Sequence, residues 1–291
     1  GGGEPLLATD YLAEVSGLLL AEAQKRSRDY AMTVVSNAQA ATKGRIAKLM
    51  KAGLVSINTT LDPNHDVSRP LKNGAPTFDT IAANLLALPP AVSVIVNINA
   101  RMGEEKAFEE LMGRMAPLRD RLGQVRVTLV FDAIKPGGAL LTSTPVGYSR
   151  RFGPKEMDYL LWCNGMIDAH GFRRKSTIPH IGCETYMASE NFTLNFAGEP
   201  SFCGGLDNMP QYRFDPKSEA DRARIDFRLA NPQWKGFCQK EGTWCPYLLS
   251  CWGGCRMTSV TQGLDWSVIN CEYEFFDRWT RNELRNWSEE A

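Results

Sequence analysis

Two hydrophobic periods take turns along residues 1–135. Ala8 to Arg26 carries Leu, Ala and Glu at helical spacing, and Ala31 to Val35 is a short apolar run ending at Ser36-Asn37. Thr42 to Ala52 predicts a short helix stopped by Gly53, and Leu54 to Leu61 predicts the next strand. Phe78 to Leu88 is helical up to Pro89-Pro90, and Val92 to Asn99 is the clearest strand, β-branched and uninterrupted. Glu104 to Leu122 reads as helix and Val125 to Phe131 as a further strand. Strand, helix, strand at this rhythm predicts parallel βα units. Uninterrupted apolar strands predict burial on both faces, as in a barrel or a doubly wound sheet.

The rhythm breaks at Lys135-Pro136-Gly137-Gly138, and a Gly/Ser/Thr/Pro stretch runs on to about Arg151. A helix from Pro154 to His170 follows, with Cys163 on it as a core cysteine. From Cys183 onward regular runs are few, and Gly, Pro, Asn and aromatic residues are frequent. That composition suits a small domain held by metal more than by a large apolar core. Four segments result: an α/β part over 1–135, a linker and bridging helix over 136–180, a cysteine-rich domain over 181–275 and a C-terminal helix over 276–291.

Composition narrows the function classes. The 33 basic and 33 acidic residues cancel, which removes the electrostatic case for nucleic acid or an anionic membrane. No apolar run approaches the roughly 18 residues that span a bilayer. The start, Gly1-Gly2-Gly3-Glu4-Pro5-Leu6-Leu7, has no basic segment and no long apolar core, so it does not read as a signal peptide. A cytoplasmic location follows as the expectation, where clustered thiols more often bind metal than pair.

Seven of the eight cysteines lie between Cys183 and Cys271. Their spacing is Cys183-x14-Gly198-x4-Cys203, then Cys238-x6-Cys245-x5-Cys251-x3-Cys255-x15-Cys271. An odd number cannot all pair, and seven exceed what one tetrahedral site uses. Two iron–sulfur clusters, one with four protein ligands and one with three, account for all of them. Cys251-Trp252-Gly253-Gly254-Cys255 supplies a turn whose glycines permit close backbone approach to inorganic sulfide, and Gly198 reads as a hairpin turn. Zinc ordinarily uses a short Cys-x2-Cys or Cys-x4-Cys knuckle, which is lacking here, and disulfides need an oxidising compartment.

The cysteine spacing resembles the SPASM domain, the auxiliary-cluster module of many radical S-adenosylmethionine (radical SAM) enzymes. Cys183, Gly198 and Cys203 match its Cys-x9–15-Gly-x4-Cys, and Cys245, Cys251, Cys255 and Cys271 match most of its Cys-x2-Cys-x5-Cys-x3-Cys and last Cys. Gly242 stands where the first Cys of Cys-x2-Cys belongs, and Cys238 is the substitute four residues earlier. Gly2-Gly3-Glu4-Pro5 looks like the Gly-Gly-Glu-Pro motif of the radical SAM core, where glycine backbone meets the methionine end of the cofactor. Thr60-Leu61-Asp62-Pro63, His65-Asp66, Arg69 and Gly74-Ala75-Pro76-Thr77-Phe78-Asp79 resemble a stretch of peptide-modifying members, with Thr60 in place of Ser and one Gly missing after Asp62.

The resemblance implies an α/β fold: an incomplete (β/α)6, partial TIM-type barrel followed by a small, irregular cluster-binding domain. It implies S-adenosyl-L-methionine as cofactor, met by Gly2, Gly3, Glu4, Ser36, Asn37, Thr60, Arg69, Asn97 and Asn99. Thr60 and Arg69 would face its carboxylate, and Asn97 and Asn99 its ribose. It implies two auxiliary 4Fe–4S clusters, one on Cys238, Cys245, Cys251 and Cys271 and the other on Cys183, Cys203 and Cys255, with an open iron on the second. A further 4Fe–4S cluster belongs on a Cys-x3-Cys-x2-Cys loop before the Gly-Gly-Glu-Pro motif, yet no Cys precedes Cys163. The expectation is therefore a chain truncated at its N-terminus and inactive by itself.

In the intact family, a 5′-deoxyadenosyl radical abstracts hydrogen from a side chain of a peptide or protein substrate, with flavodoxin or ferredoxin as electron donor. The favoured outcome is a thioether or carbon–carbon crosslink in a ribosomal peptide. An anaerobic sulfatase maturase making formylglycine is the alternative, with Asp132 and Asp158 as candidate general bases. A non-enzymatic iron–sulfur electron-transfer or peptide-binding module and a zinc-ribbon scaffold are the rivals from other classes. An anaerobic preparation is expected to be brown, to bleach in air and to hold two clusters per chain by iron counting and Mössbauer spectroscopy. A colourless zinc protein, or one cluster per chain, would remove the four-and-three division.

Overall fold

The computed structural model describes residues 4–71, 73–129, 154–174, 193–194, 200–201, 215, 217–220, 239–240, 243–245 and 273–290. The chain divides into two units, one of Gly2–Leu141 with Asp158–Lys175 and one of Gly1, Thr142–Met157 and Ser176–Ala291. Residues Asp158–Lys175, placed by sequence in a linker, thus group with the N-terminal elements.

The first unit is α/β. A 3₁₀ turn at Pro5–Ala8 leads into α1 (Thr9–Lys25), β1 (Met32–Val35), α2 (Lys43–Lys51) and β2 (Leu54–Thr60). The short α3 (His65–Ser68) precedes α4 (Phe78–Leu86), β3 (Ser93–Ala100), α5 (Glu105–Met115) and β4 (Gln124–Leu129). The four strands form one parallel sheet in the order β1-β2-β3-β4. After α6 (Pro154–Ala169) the chain returns beside β4, where Val125 N–H donates to Arg173 O at 2.9 Å and Val125 bridges Arg174 in parallel. Strands that neighbour one another in chain order, with right-handed crossovers, put the connecting helices on one face.

Burial follows that arrangement. Val94, Val96, Ile98 and Ala100 of β3, with Ile57 and Thr59 of β2 and Val125 of β4, are shut from solvent on one face. The opposite face carries Asn58, Thr60, Ile95, Asn97, Asn99, Gln124 and Arg126, all half-buried. The strands were expected to be buried on both faces; the second face is half-exposed because most of its side chains are polar. On the helical side, Ile46 and Leu49 of α2, Ile81 and Leu85 of α4 and Phe108 and Met112 of α5 complete the core. Each such side chain is worth about 1.5–3 kcal/mol on burial.

Local chemistry sets the element ends. Gly53 closes α2 at φ +98°, and a Cβ there would stand 3.0 Å from the Tyr30 ring, so the α2–β2 turn requires glycine. The helix expected to run to Leu122 ends at Met115, and Ala116–Leu118 is a 3₁₀ turn. Pro117 has no N–H to donate, and its ring displaces the preceding helical carbonyl. At the other end of α4, Asp66 Oδ1 accepts from Thr77 N and Phe78 N, both at 2.8 Å, while Oδ2 meets Arg114 Nη1 at 2.9 Å. The Arg114 guanidinium also lies 3.9 Å above the Phe78 ring.

In the second unit, β5 (Thr193–Leu194) pairs antiparallel with β6 (Pro200–Ser201), and β7 (Gln239–Lys240) with β8 (Thr243–Trp244). Gly198 falls between the first pair and Gly242 between the second; both lie outside the described residues. A last helix, α7, spans Tyr273–Glu290, beginning three residues before the expected 276, and buries Phe276 and Trp279. Among the described residues no helix is long and apolar enough to cross a membrane.

Burial opposes ionisation of Asp66, but the N–H groups of Phe78 and Thr77 and the Arg114 charge outweigh it and hold the carboxyl below its usual range. Its contribution to stability is present above the unfolded carboxyl pKa of about 4 and lost as pH falls through the lower folded value. Asp66→Ala is expected to cost about 1–2 kcal/mol near neutral pH, read from the denaturation midpoint. The gap from wild type should shrink toward about pH 2, and a pH-independent gap would exclude this account.

Candidate functional site

The loops leaving the carboxyl ends of β1 and β2 are built around two carboxylates. After β1, Ser36 Oγ donates to Glu4 Oε1 at 2.5 Å and Asn37 N–H to Glu4 Oε2 at 2.9 Å. Glu4 Oε1 also caps the first 3₁₀ turn by accepting from Leu6 N at 3.0 Å. Ala38 follows at φ +58°, fully buried, a left-handed conformation that costs a non-glycine residue about 1 kcal/mol. Two sets of bonds hold it there. Ala38 N–H donates to Ser36 Oγ at 2.9 Å, and Asn84 Nδ2 on α4 donates to the carbonyls of Ala38 and Gln39, each at 2.9 Å.

After β2 the second carboxylate, Asp62, is 1 % exposed. Arg69 Nε donates to its Oδ2, and Asn99 N–H at the end of β3 donates to its Oδ1 at 3.2 Å. The Asp62 N–H goes to His65 Nδ1 at 3.2 Å. That bond makes Nδ1 the acceptor, so the neutral ring carries its proton on Nε2. Burial lowers the His65 pKa, Arg69 and Arg114 push the same way, and Asp62 and Asp66 oppose them. Nε2 is buried with no hydrogen-bond partner among the described residues. Nearby Glu104 is raised by burial and by Asp62, against the pull of Arg101.

These loops enclose a cleft of about 400 Å³. Glu4, Ser36, Asn37, Thr60, His65 and Arg69 line it, together with apolar Pro5, Val35, Pro70 and Ile81. The chain segments involved are far apart in sequence, and they meet because parallel strands deliver every carboxyl end to one edge of the sheet. Chemically the cleft offers a hydroxyl on Thr60, the Asn37 side chain and the terminal N–H groups of Arg69, whose Nε is already fixed by Asp62. Such a donor set suits a small ligand bearing a carboxylate and hydroxyl or amino groups.

Of the residues nominated from sequence, Glu4, Ser36, Asn37, Thr60 and Arg69 come together in the cleft. Asn97 and Asn99 are not among its lining residues: the Asn97 amide donates to Asn58 Oδ1, and the Asn99 backbone serves Asp62. Gly2 and Gly3 lie outside the described residues, as do Asp132, Cys183, Cys203, Cys238, Cys251, Cys255 and Cys271. Cys245 directly follows β8 and is half-buried. Asp158 is exposed on α6 and is not part of the cleft lining. Cys163 is fully buried, and burial pushes its thiol up to about 12, as befits a core cysteine. Among the described residues, no group of three or more His, Cys, Asp or Glu side chains is placed to hold a metal. Sequence reasoning assigned no role to His65 or Asn84; the His65-Asp66 pair in a short loop was the available signal for the first, and Asn84 carried none.

No protein-family model matches the chain, and no curated protein matches its sequence. Glu4→Ala removes the acceptor for Leu6 N–H, Asn37 N–H and the Ser36 hydroxyl together. The expected cost is about 1–3 kcal/mol, with faster amide hydrogen exchange at Asn37 and Ala38 and unchanged exchange at Val96 in the sheet. Unchanged exchange in the loop would show that Glu4 does not hold it.

Proposed function

We propose that the first unit binds S-adenosyl-L-methionine as the cofactor-binding part of a radical SAM enzyme. The observation that carries this reading is the convergence of Glu4, Ser36, Asn37, Thr60 and Arg69 on one cleft, five of the nine positions that the family resemblance singles out. A volume of about 400 Å³ lies within the range of small-molecule sites, roughly 300–1,000 Å³. The donors fit an amino acid end: Arg69 and Thr60 would hold its carboxylate, and the Asn37 side chain would meet a hydroxyl or amino group. The sequential order β1-β2-β3-β4, continued by the return of Arg174 beside β4, favours a partial barrel over a doubly wound sheet. A stripe on α1 agrees: Tyr11, Leu18 and Leu19 are more than half exposed, a face that another βα unit of a barrel would cover.

When bound beside a reducing cluster, the cofactor supplies a carbon-centred radical that takes hydrogen from the substrate. The chain's own part is positioning. Asp62 orients the Arg69 guanidinium, Glu4 and Asn84 shape the loop after β1, and Val35, Pro70 and Ile81 give the cleft an apolar wall. The seven cysteines from Cys183 to Cys271 would hold the two auxiliary clusters beside a peptide substrate. The product class is a thioether or carbon–carbon crosslink in a ribosomal peptide.

Isothermal titration with S-adenosyl-L-methionine tests the cleft. Wild-type chain is expected to bind, and Arg69→Gln to weaken binding by tenfold or more, about 1.4 kcal/mol, with its fold retained by circular dichroism. Equal affinity in the variant, or no binding by wild type, would overturn the reading.

A further inference from the structure

We infer that Arg126 is a carboxylate-recognition point for a peptide substrate on the polar face of the sheet; this rests on the radical SAM reading of the neighbouring cleft. Pairing places Thr60, Asn97 and Arg126 side by side across β2, β3 and β4. Adjacent strands lie about 4.8 Å apart, so two strand spacings put the Arg126 backbone roughly 10 Å from that of Thr60. Thr60 lines the cleft. A ligand leaving the cleft along this row meets Arg126 after Asn97.

Among the described residues Arg126 is a charge with little structural use. Its Nη2 donates to the neutral Gln124 Oε1 at 3.2 Å, and its Nε is buried with no partner among the described residues. No acidic side chain pairs with it among the described residues. Several other arginines of this unit are committed: Arg69 to Asp62, Arg114 to Asp66 and Asp79, and Arg174 to Asp168. Arg101 also has a buried nitrogen unpartnered among the described residues, but it lies at the loop after β3, off the row of Thr60 and Asn97. Arg121 also leaves its Nε unpartnered, but its Nη2 braces the carbonyls of Pro89 and Val92 at 3.1 and 2.6 Å. Among the described residues Arg126 braces only the side chain two residues away on its own strand.

A buried N–H without an acceptor weakens a fold, and an apolar side chain would fill the same volume without that loss. The described neighbours on this face include amides and a hydroxyl, which carry no charge to neutralise it: Asn97 in register, Asn58 and Thr60 beyond. Among the described residues a charged partner is missing, and an anion that arrives with the ligand would supply it. A guanidinium fork selects a planar carboxylate, and a peptide supplies one from an Asp or Glu side chain or from its C-terminus. Recognition here would fix which residue of the peptide stands over the cleft.

The test uses the full chain and short fluorescein-labelled peptides followed by fluorescence anisotropy. One set compares Glu with Gln in mid-peptide, and a second compares a free C-terminus with its amide. Wild type is expected to bind the acidic member of at least one set about tenfold tighter, and the responding set identifies the carboxylate's source. Arg126→Gln is expected to abolish that preference while leaving titration of S-adenosyl-L-methionine unchanged. Arg126→Met is expected to keep or raise the thermal midpoint, because it removes an unsatisfied buried group. Equal binding of acidic and neutral peptides, a preference that survives Arg126→Gln, or a lowered midpoint in Arg126→Met would each overturn the inference. Loss of cofactor binding by wild type with the peptide preference intact would remove the radical SAM reading instead.

Discussion

The carboxyl edge of the sheet depends on one buried carboxylate. Burying an ion costs several kcal/mol unless its oxygens are met, and Asp62 meets that condition through Arg69 Nε and Asn99 N–H. Each partner is constrained in return. Arg69 is held against the cleft by an ion pair and not by packing alone, and the end of β3 is tied to the end of β2. The Asp62 N–H also selects the His65 tautomer. The loop over residues 61–69 thus takes its shape from charge compensation, with the four-residue α3 as its middle. A chain that lost either partner would leave the other charge uncompensated in an apolar setting.

The sheet divides stability from chemistry by face. Helices on one side bury Val94, Val96, Ile98 and Ala100, and that side supplies the hydrophobic driving force. The crossovers leave the other side to Asn58, Thr60, Asn97, Asn99 and Arg126. Polar groups there cost little while half-exposed, since water can satisfy them, and they remain available to a ligand. The loop after β1 follows similar logic on a smaller scale: the strained backbone at Ala38 persists because Glu4 from one side and Asn84 from the other over-determine it.

Much of the fold was legible because its elements are periodic. The strands at Met32–Val35, Leu54–Thr60, Ser93–Ala100 and Gln124–Leu129 fall where β-branched runs stand, and α1, α2, α4 and α6 fall on the helical spacings. Two local features escaped. The helix drawn through Pro117 was stopped by a residue whose effect overrides the apolar pattern around it, and α3 is too short for any period to register. At the site, Ser36, Asn37, Thr60 and Arg69 were legible as polar residues at strand ends, where loops carry function. Asn97 was read as a strand-end amide, equally fit for a ligand or for a neighbour, and in the structure its amide donates to Asn58.

Sequence by itself determined most element types and the cysteine spacing, because each depends on residues close in the chain. It also determined which side chains share one side of a single strand. Only the tertiary structure decided which strand ends meet. Glu4 reaches Ser36 and Asn37 across 32 and 33 positions, and Asp62 reaches Asn99 across 37. Such pairs depend on strand order and register, which local periodicity leaves open. Register likewise sets Arg126 beside Asn97, in one row with Thr60 two strands away, which the pattern along β4 alone does not fix.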